Sequence, residues 1–193
     1  THNVSSAASD VYKRQIWNAG GSFNTFFGLS KTRLKGVAYK PKLKIQTFTN
    51  WISGCCILVK IQAIKEVGLL DNHFFAYFED VDWSIRMKNQ GYKLGVVPKS
   101  IIYHHSSGST KKNNTSNEGN LSPYAHYLNV RNHIYLINKH ALFFNSIGAM
   151  IYQIFKITSY SIYFILRCRF EKLKMVWRGM LDGIKTNNIK QLF

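Results

Sequence analysis

The spacing of apolar and polar residues between positions 51 and 104 predicts alternating helices and strands. Apolar residues in 61–67 recur one helical turn apart and Gly68 follows them, which is the pattern of a short helix with a glycine C-cap. Residues 79–90 predict a second helix, acidic at its start, basic later and followed by Gly91. The helix dipole favours this order of charges.

Strands are predicted around these two helices. The short apolar run from Trp51 to Val59 suits a buried strand. Tyr92 to Val97 and Ser100 to His104 predict two further strands, divided by Pro98. Upstream, residues 16–50 are rich in Gly, Lys and Thr and predict loops with short extended pieces.

The pattern changes after Pro123, where only helices are predicted. Residues 124–139 predict one helix. Residues 141–166 predict a long aromatic and apolar helix, and residues 170–184 predict an amphipathic helix. The chain is therefore expected to be α/β in its first part, followed by a helical appendage. Its expected divisions are a non-native or disordered leader, an α/β part, a flexible polar loop and a helical region, with bounds 1–15, 16–109, 110–122 and 123–193.

Charge suggests the type of partner. The 193 residues are 46% hydrophobic, and 26 Lys and Arg against 9 Asp and Glu give a formal charge of +17, which favours a polyanionic partner. The basic residues are spread among apolar and aromatic ones, without the Lys/Arg runs of a nucleic-acid tail, so an anionic membrane surface is the preferred partner. The three cysteines form no metal or disulfide pattern.

The segment 141–166 is long enough to span a bilayer. Lys156 would then lie near the middle of the membrane, at a cost of about 3 kcal/mol. An interfacial helix is therefore the preferred interpretation, and a helix packed on the rest of the protein is the alternative. A basic face is expected to continue this helix, through Arg167, Arg169, Lys172, Lys174 and Arg178.

Three acidic residues, Glu79, Asp80 and Asp82, lie in the first turn of the second helix. Free N–H groups and the helix dipole favour the ionised form of a carboxylate there. Since successive helical residues are about 100° apart, the three cannot all face one ligand. On spacing alone they could be ordinary N-terminal helix acids, and the aromatic residues of 74–78 just before them could be core residues or an apolar substrate edge.

A series of landmarks resembles the second half of family 2 glycosyltransferases, especially the rhamnosyltransferase-like members. Two motifs near the C-terminus, in 127–132 and 178–183, also resemble the tail of that family. The landmarks are Ser53-Gly54-Cys55-Cys56, Gly68-Leu69-Leu70-Asp71, Phe74-Phe75-Ala76-Tyr77-Phe78-Glu79-Asp80-Val81-Asp82-Trp83, Arg86, Gly91-Tyr92, Pro98, His104 and Ser109.

The resemblance implies the C-terminal half of a GT-A, Rossmann-like domain and an inverting sugar transfer. Asp80 would be the base that takes the proton of the acceptor hydroxyl, Glu79 would bind that acceptor, and Asp82 would cap its own helix. His104 would bind a divalent cation, Mg²⁺ or Mn²⁺. Further substrate-binding residues are expected to be Gly54, Cys55, Tyr77, Phe78, Trp83 and Ser109.

The family places an Asp-x-Asp motif for the metal in a nucleotide-binding half that precedes these landmarks. In this chain the only Asp-x-Asp is Asp80-Val81-Asp82, inside the base motif. We therefore expect a fragment that is inactive alone, from a parent enzyme that begins earlier.

The resemblance also implies the partners, which are a nucleotide-sugar donor and a saccharide or lipid-linked acceptor in cell-surface polysaccharide synthesis. The expected location is peripheral, on the cytoplasmic face of the bacterial inner membrane, with no nucleic acid as partner. The alternatives are a basic membrane-surface or nucleic-acid-binding module without catalysis, and a membrane-anchored structural protein. Neither alternative would give the Glu79-Asp80 pair a purpose.

Overall fold

The structure, a computed structural model, divides the chain into two compact units. The first, here the sheet unit, consists of Thr1–Phe23, Ser30–Phe75 and Glu79–Ser106. The second, here the helical unit, consists of Asn24–Leu29, Ala76–Phe78 and Ser107–Phe193. The structure describes the backbone of residues 2–10, 15–40, 44–104 and 121–189, and the side chains within 15–40, 44–103 and 121–186.

Helices and strands are mixed, which is compatible with the α/β class. The strands are β1 (His2–Asp10), β2 (Gln15–Asn18), β3 (Gly21–Asn24), β4 (Leu29–Thr32), β5 (Phe48–Thr49), β6 (Ile57–Leu58) and β7 (Lys93–His104). Five of them form one sheet in the order β2-β1-β7-β5, with β6 also paired to β1, while β3 and β4 pair with each other. Within the five-stranded sheet, β1 and β7 are parallel and the other pairs antiparallel.

The strand β1 shows that the expectation of a structureless segment 1–15 was wrong. Its backbone pairs with β7 from His2 opposite Lys93 to Asp10 opposite His104, and Gln15 already begins β2. Sheet hydrogen bonds join backbone groups, so a Ser- and Ala-rich segment without apolar alternation can form a strand when its neighbours supply partners. The predicted flexible loop 110–122 lies outside the described residues except for its last two.

Two strand predictions need correction. β7 is a single strand, but its pairing with β1 moves from Val97 directly to Ile101, so the predicted interruption at Pro98 is present as an irregularity in the register. The predicted strand from Trp51 to Val59 was wrong, since only the two residues of β6 and an isolated bridge at Trp51 are extended. The backbone turns at Gly54 instead.

Both helices predicted for the sheet unit are confirmed, as α1 (Ile61–Val67) and α2 (Glu79–Asn89). Gly68 and Gly91 follow them with φ of 76° and 80°, the left-handed conformation that glycine adopts without strain. Together with the start of β7 they enclose a core cluster of Ile52, Trp83, Met87 and Leu94.

The helical unit contains the three other predicted helices, α3 (Pro123–Lys139), α4 (Ser146–Leu166) and α5 (Phe170–Ile189). Side chains cap two of them, since Ser122 accepts from the N–H of Ala125 and Asn145 from that of Gly148. The three helices share a core cluster of Val130, Ile134, Ile157, Phe164 and Val176.

Glycines allow α5 to approach α3 closely. A Cβ added at Gly179 would lie 2.6 Å from the carbonyl oxygen of Tyr127, and one added at Gly183 would lie 3.0 Å from that of Arg131. Larger residues would push the two backbones apart, which explains why two glycines stand one turn apart in α5.

Candidate functional site

Asp80 lies in the first turn of α2 and bonds to backbone through both carboxylate oxygens. Its Oδ2 accepts from the N–H of Gly54 at 2.9 Å, and its Oδ1 accepts from the N–H of Val81 at 2.8 Å. The structure thus places Gly54, an expected substrate-binding residue, directly beside Asp80. Each oxygen has a second lone pair, so the carboxylate can still accept a proton or a substrate hydroxyl.

Burial controls the titration of the two adjacent acids. It raises the pKa of Asp80, and the hydrogen bonds from Gly54 and Val81 oppose that rise. Burial also raises the pKa of Glu79, and the negative charge of Asp80 raises it further. A carboxylate whose pKa is raised toward neutral pH is a stronger proton acceptor than an ordinary aspartate, which suits a general base. Among the described side chains, the buried Oε2 of Glu79 is left without a hydrogen-bond partner.

Asp82, by contrast, belongs to the scaffold. It is fully buried, and its Oδ2 accepts from Nε of Arg86 at 2.9 Å. The same guanidinium donates to the carbonyl oxygens of Val67 and Leu69, so the ion pair ties α2 to the end of α1. A carboxylate engaged in this way does not pair with Asp80 around a cation.

The described side chains alone do not form a metal site. None of the described ranges brings three His, Cys, Asp or Glu side chains together in a way that could hold an ion. His104 ends β7, but its side chain lies outside the described residues, as does all of Ser109. The predicted role of His104 as a cation ligand stays a prediction.

The other residues predicted for the sheet-unit site differ in their surroundings. Cys55 is exposed as a residue, and its Sγ lies 3.4 Å from Oγ of Ser53. The thiol itself is partly shielded from water, which raises its pKa. Trp83 lies in the core with 8% of its surface exposed, and its indole N–H donates to the carbonyl oxygen of Gly68 at 2.9 Å. It has little surface to offer a substrate, so packing, not binding, is its role in this structure.

Tyr77 and Phe78 belong to the helical unit. There, two side chains of α3 contact the short segment 76–78. Both have left-handed backbones, with φ of 69° and 71°, which is strained for residues with a Cβ. The fully buried Asn132 donates from Nδ2 to the carbonyl oxygens of Ala76 and Tyr77, at 2.6 and 2.9 Å. The ring of Phe78 stacks on that of His133 at 5.0 Å.

The buried His133 and the partly buried Lys156 form a polar pair within this unit. Nε2 of His133 lies 2.7 Å from the carbonyl oxygen of Gly28, and its Nδ1 lies 3.3 Å from Nζ of Lys156. A neutral ring that donates from Nε2 and accepts at Nδ1 satisfies both contacts. Burial, and then the charge of Lys156, lowers the pKa of His133 to about 3, while burial lowers that of Lys156 to about 8.

Sequence reasoning assigned no role to Asn132 or His133. A usable signal existed, because both are polar residues on the otherwise apolar face of α3. Asn132 also ends one of the two C-terminal motifs that carry the family resemblance.

Asn132→Ala tests whether this side chain holds the strained segment. It removes the two hydrogen bonds to this segment and the one that Oδ1 accepts from Nε of Arg131, so we expect a loss of about 2–3 kcal/mol in the free energy of unfolding. Amide exchange at residues 76–78 should also become faster. Asn129→Ala is the matched control, since the Asn129 amide donates only along its own helix, to the carbonyl oxygen of Ala125. Urea unfolding and hydrogen exchange measure both effects, and equal changes in the two variants would contradict the assignment.

Comparison with known proteins finds relatives that match only part of this chain. No protein-family model matches the chain. The N-acetylglucosaminyl-diphospho-decaprenol L-rhamnosyltransferase of Mycobacterium tuberculosis, in two strains, is 37% identical over 67 residues, which cover 35% of this chain and 22% of the relative. Rhamnosyltransferase WbbL of Escherichia coli K12 is 28% identical over 78 residues, which cover 40% of this chain and 28% of the relative.

The matches thus span about a quarter of the length of these curated relatives. All of them are named rhamnosyltransferases, which supports a glycosyltransferase family for this chain.

Proposed function

We propose that this chain is the acceptor-side part of an inverting glycosyltransferase with a GT-A domain, which transfers a sugar from a nucleotide-sugar to a lipid-linked saccharide. The observation that carries the proposal is the Glu79-Asp80 pair at the start of α2, with raised pKa values and Gly54 beside it. The mycobacterial relative supports it, because its name states a sugar transferred to a diphospho-decaprenol-linked acceptor.

In the proposed reaction Asp80 takes the proton of the acceptor hydroxyl. The acceptor oxygen then forms a bond to the anomeric carbon, the bond from that carbon to the nucleotide diphosphate breaks, and the configuration inverts. Glu79 orients the acceptor, and the N–H groups of Gly54 and Val81 hold the carboxylate of Asp80 in place. A longer parent protein would supply the nucleotide-binding half and the carboxylates for Mg²⁺ or Mn²⁺.

A transfer assay tests this function. The parent protein is incubated with nucleotide-activated sugars, nucleotide-activated rhamnose first, and with a lipid-linked N-acetylglucosamine acceptor. The product is analysed for chain extension and anomeric configuration. We expect one added sugar with inverted configuration. Retention of configuration would overturn the proposed role of Asp80, and no transfer from any nucleotide-sugar would overturn the proposed function.

We also propose that the helical unit lies on the cytoplasmic face of the bacterial inner membrane. α4 is long and apolar enough to cross a membrane by length and composition, and only 22% of its most apolar window is buried. Its one charged residue, Lys156, points toward α3, so it no longer argues against contact with lipid. On α5, Lys174, Arg178 and Lys185 are exposed beside Trp177, but Lys172, predicted for the same basic face, is buried.

Vesicle binding separates a peripheral helix from a spanning one. We expect the chain to bind vesicles that contain phosphatidylglycerol and to leave them in high salt or alkaline carbonate, because charge attraction is screened or removed there. Retention after carbonate would identify α4 as a membrane span. Equal binding to neutral vesicles would show that the basic residues do not contribute.

A further inference from the structure

The helical unit contains a large apolar groove formed by all three of its helices. Its volume is about 550 Å³, in the range of small-molecule sites. On α4 its lining residues run from Ser146 to Thr158, which at about 1.5 Å per residue gives a groove of about 18 Å. The opposite walls contain one polar residue, Asn138, and are otherwise apolar, with Ile134, Ile137, Trp177, Met180 and Ile184.

One polar side chain in this wall has no partner within the described part of the chain. Gln153 is only 8% exposed, yet neither its Nε2 nor its Oε1 makes a hydrogen bond. Leaving both amide atoms unpaired is unfavourable, since a buried donor or acceptor loses its bonds to water. A purely structural side chain at this position would be apolar. Gln153 therefore points to a ligand that is mostly hydrocarbon but carries an oxygen.

We propose that this groove binds the isoprenoid tail of the lipid-linked acceptor, with Nε2 of Gln153 donating to an oxygen of the phosphoester that ends the tail. The inference rests on the proposed function. The long apolar shape fits a prenyl chain, and the relative's acceptor carries a decaprenol.

Binding of geranylgeranyl phosphate to the 193-residue chain tests the proposal directly. Met150 and Ile151 are neighbours on α4 with similar exposure, 57% and 52%, but only Met150 lines the groove. Met150→Trp should weaken binding at least about tenfold because it fills the groove, and Ile151→Trp should change it less than about twofold. Gln153→Met should weaken binding about three- to tenfold through loss of one hydrogen bond.

Equilibrium dialysis with the radiolabelled probe measures these affinities, and circular dichroism checks that each variant folds. Equal effects of the two Trp variants would overturn the proposal, as would full competition by inorganic phosphate, which would indicate an anion site. A dimer that only Met150→Trp dissociates would identify the groove as a contact between two copies. It would overturn the proposal too.

Sugar transfer distinguishes failure of the groove from failure of the function. In the parent protein, Met150→Trp should raise the KM for an acceptor with a long prenyl tail and leave that for a short alkyl analogue unchanged. If Met150→Trp changed the KM for both acceptors equally while transfer continued, the groove proposal would be overturned and the proposed function would stand. Binding of the probe without any sugar transfer would support the groove proposal and overturn the proposed function.

Discussion

Asp80→Asn is expected to lower the turnover of the parent enzyme by about 10²–10⁴, the usual effect of losing a general base. If the proposed function is right, donor binding should change little, because a separate nucleotide-binding half would hold the donor. The substitution is close in shape but not neutral for the fold. Both oxygens of Asp80 accept from backbone N–H groups, and an amide can accept with only one of them.

Ser84→Ala provides the matched control for this local damage. The Ser84 hydroxyl donates to the backbone oxygen of Asp80 and accepts from the N–H of Ile52, so its loss disturbs the same turn and keeps the carboxylate. Both variants should lower the melting temperature by a few degrees, and only Asp80→Asn should lower turnover by about 10²–10⁴. If Asp80→Asn turned over normally while folded, Glu79→Gln would be the next variant to test for the base.

The helices could be predicted from the sequence because their determinants are local. α1 and α2 each have an apolar repeat and a glycine at the C-terminal end, and α3 has a Ser-Pro start. The strand β1 could not be predicted, since its partners are at positions 15–18, 57–58 and 93–104 and its own residues carry no alternation. Pairing between distant segments leaves no mark on a short stretch of sequence.

The candidate site shows the same limit. The landmarks identified Asp80 and Gly54 as expected site residues, and the structure shows their contact. Whether Trp83 faces a ligand or the core depends on tertiary packing, which the landmarks do not reveal. The prediction about Lys156 considered how far along α4 the residue lies, but not which face of the helix it occupies. Buried positions on that helix include Ala149, Gln153, Ile157 and Phe164, which are four or seven residues apart and so share one face. Lys156 follows Ala149 by seven residues and lies near that same face.

The buried His133 should make the helical unit sensitive to acid. Its pKa in the folded chain is about 3, against 6.5 for an ordinary histidine, because burial and the charge of Lys156 disfavour the imidazolium. The unfolded chain therefore takes up a proton first as the pH falls below 6.5, and the stability that His133 contributes is lost progressively toward pH 3. By pH 5 the loss is about 2 kcal/mol from this group alone.

Neighbouring groups act in the same direction. Burial and nearby cations, Lys172 first, lower the pKa of His126 to about 4, so it adds to the acid loss. Lys156, with a folded pKa of about 8 against 10.5, makes stability rise as the pH increases from 8 toward 10.5. Urea unfolding between pH 4 and 8 should show that the free energy of unfolding falls toward acid pH. His133→Gln should make this acid limb flatter, whereas His73→Gln, at an exposed position, should leave it intact. An unchanged limb in His133→Gln would mean that other groups take up the acid-linked protons, and that His133 can accommodate a charge where it lies.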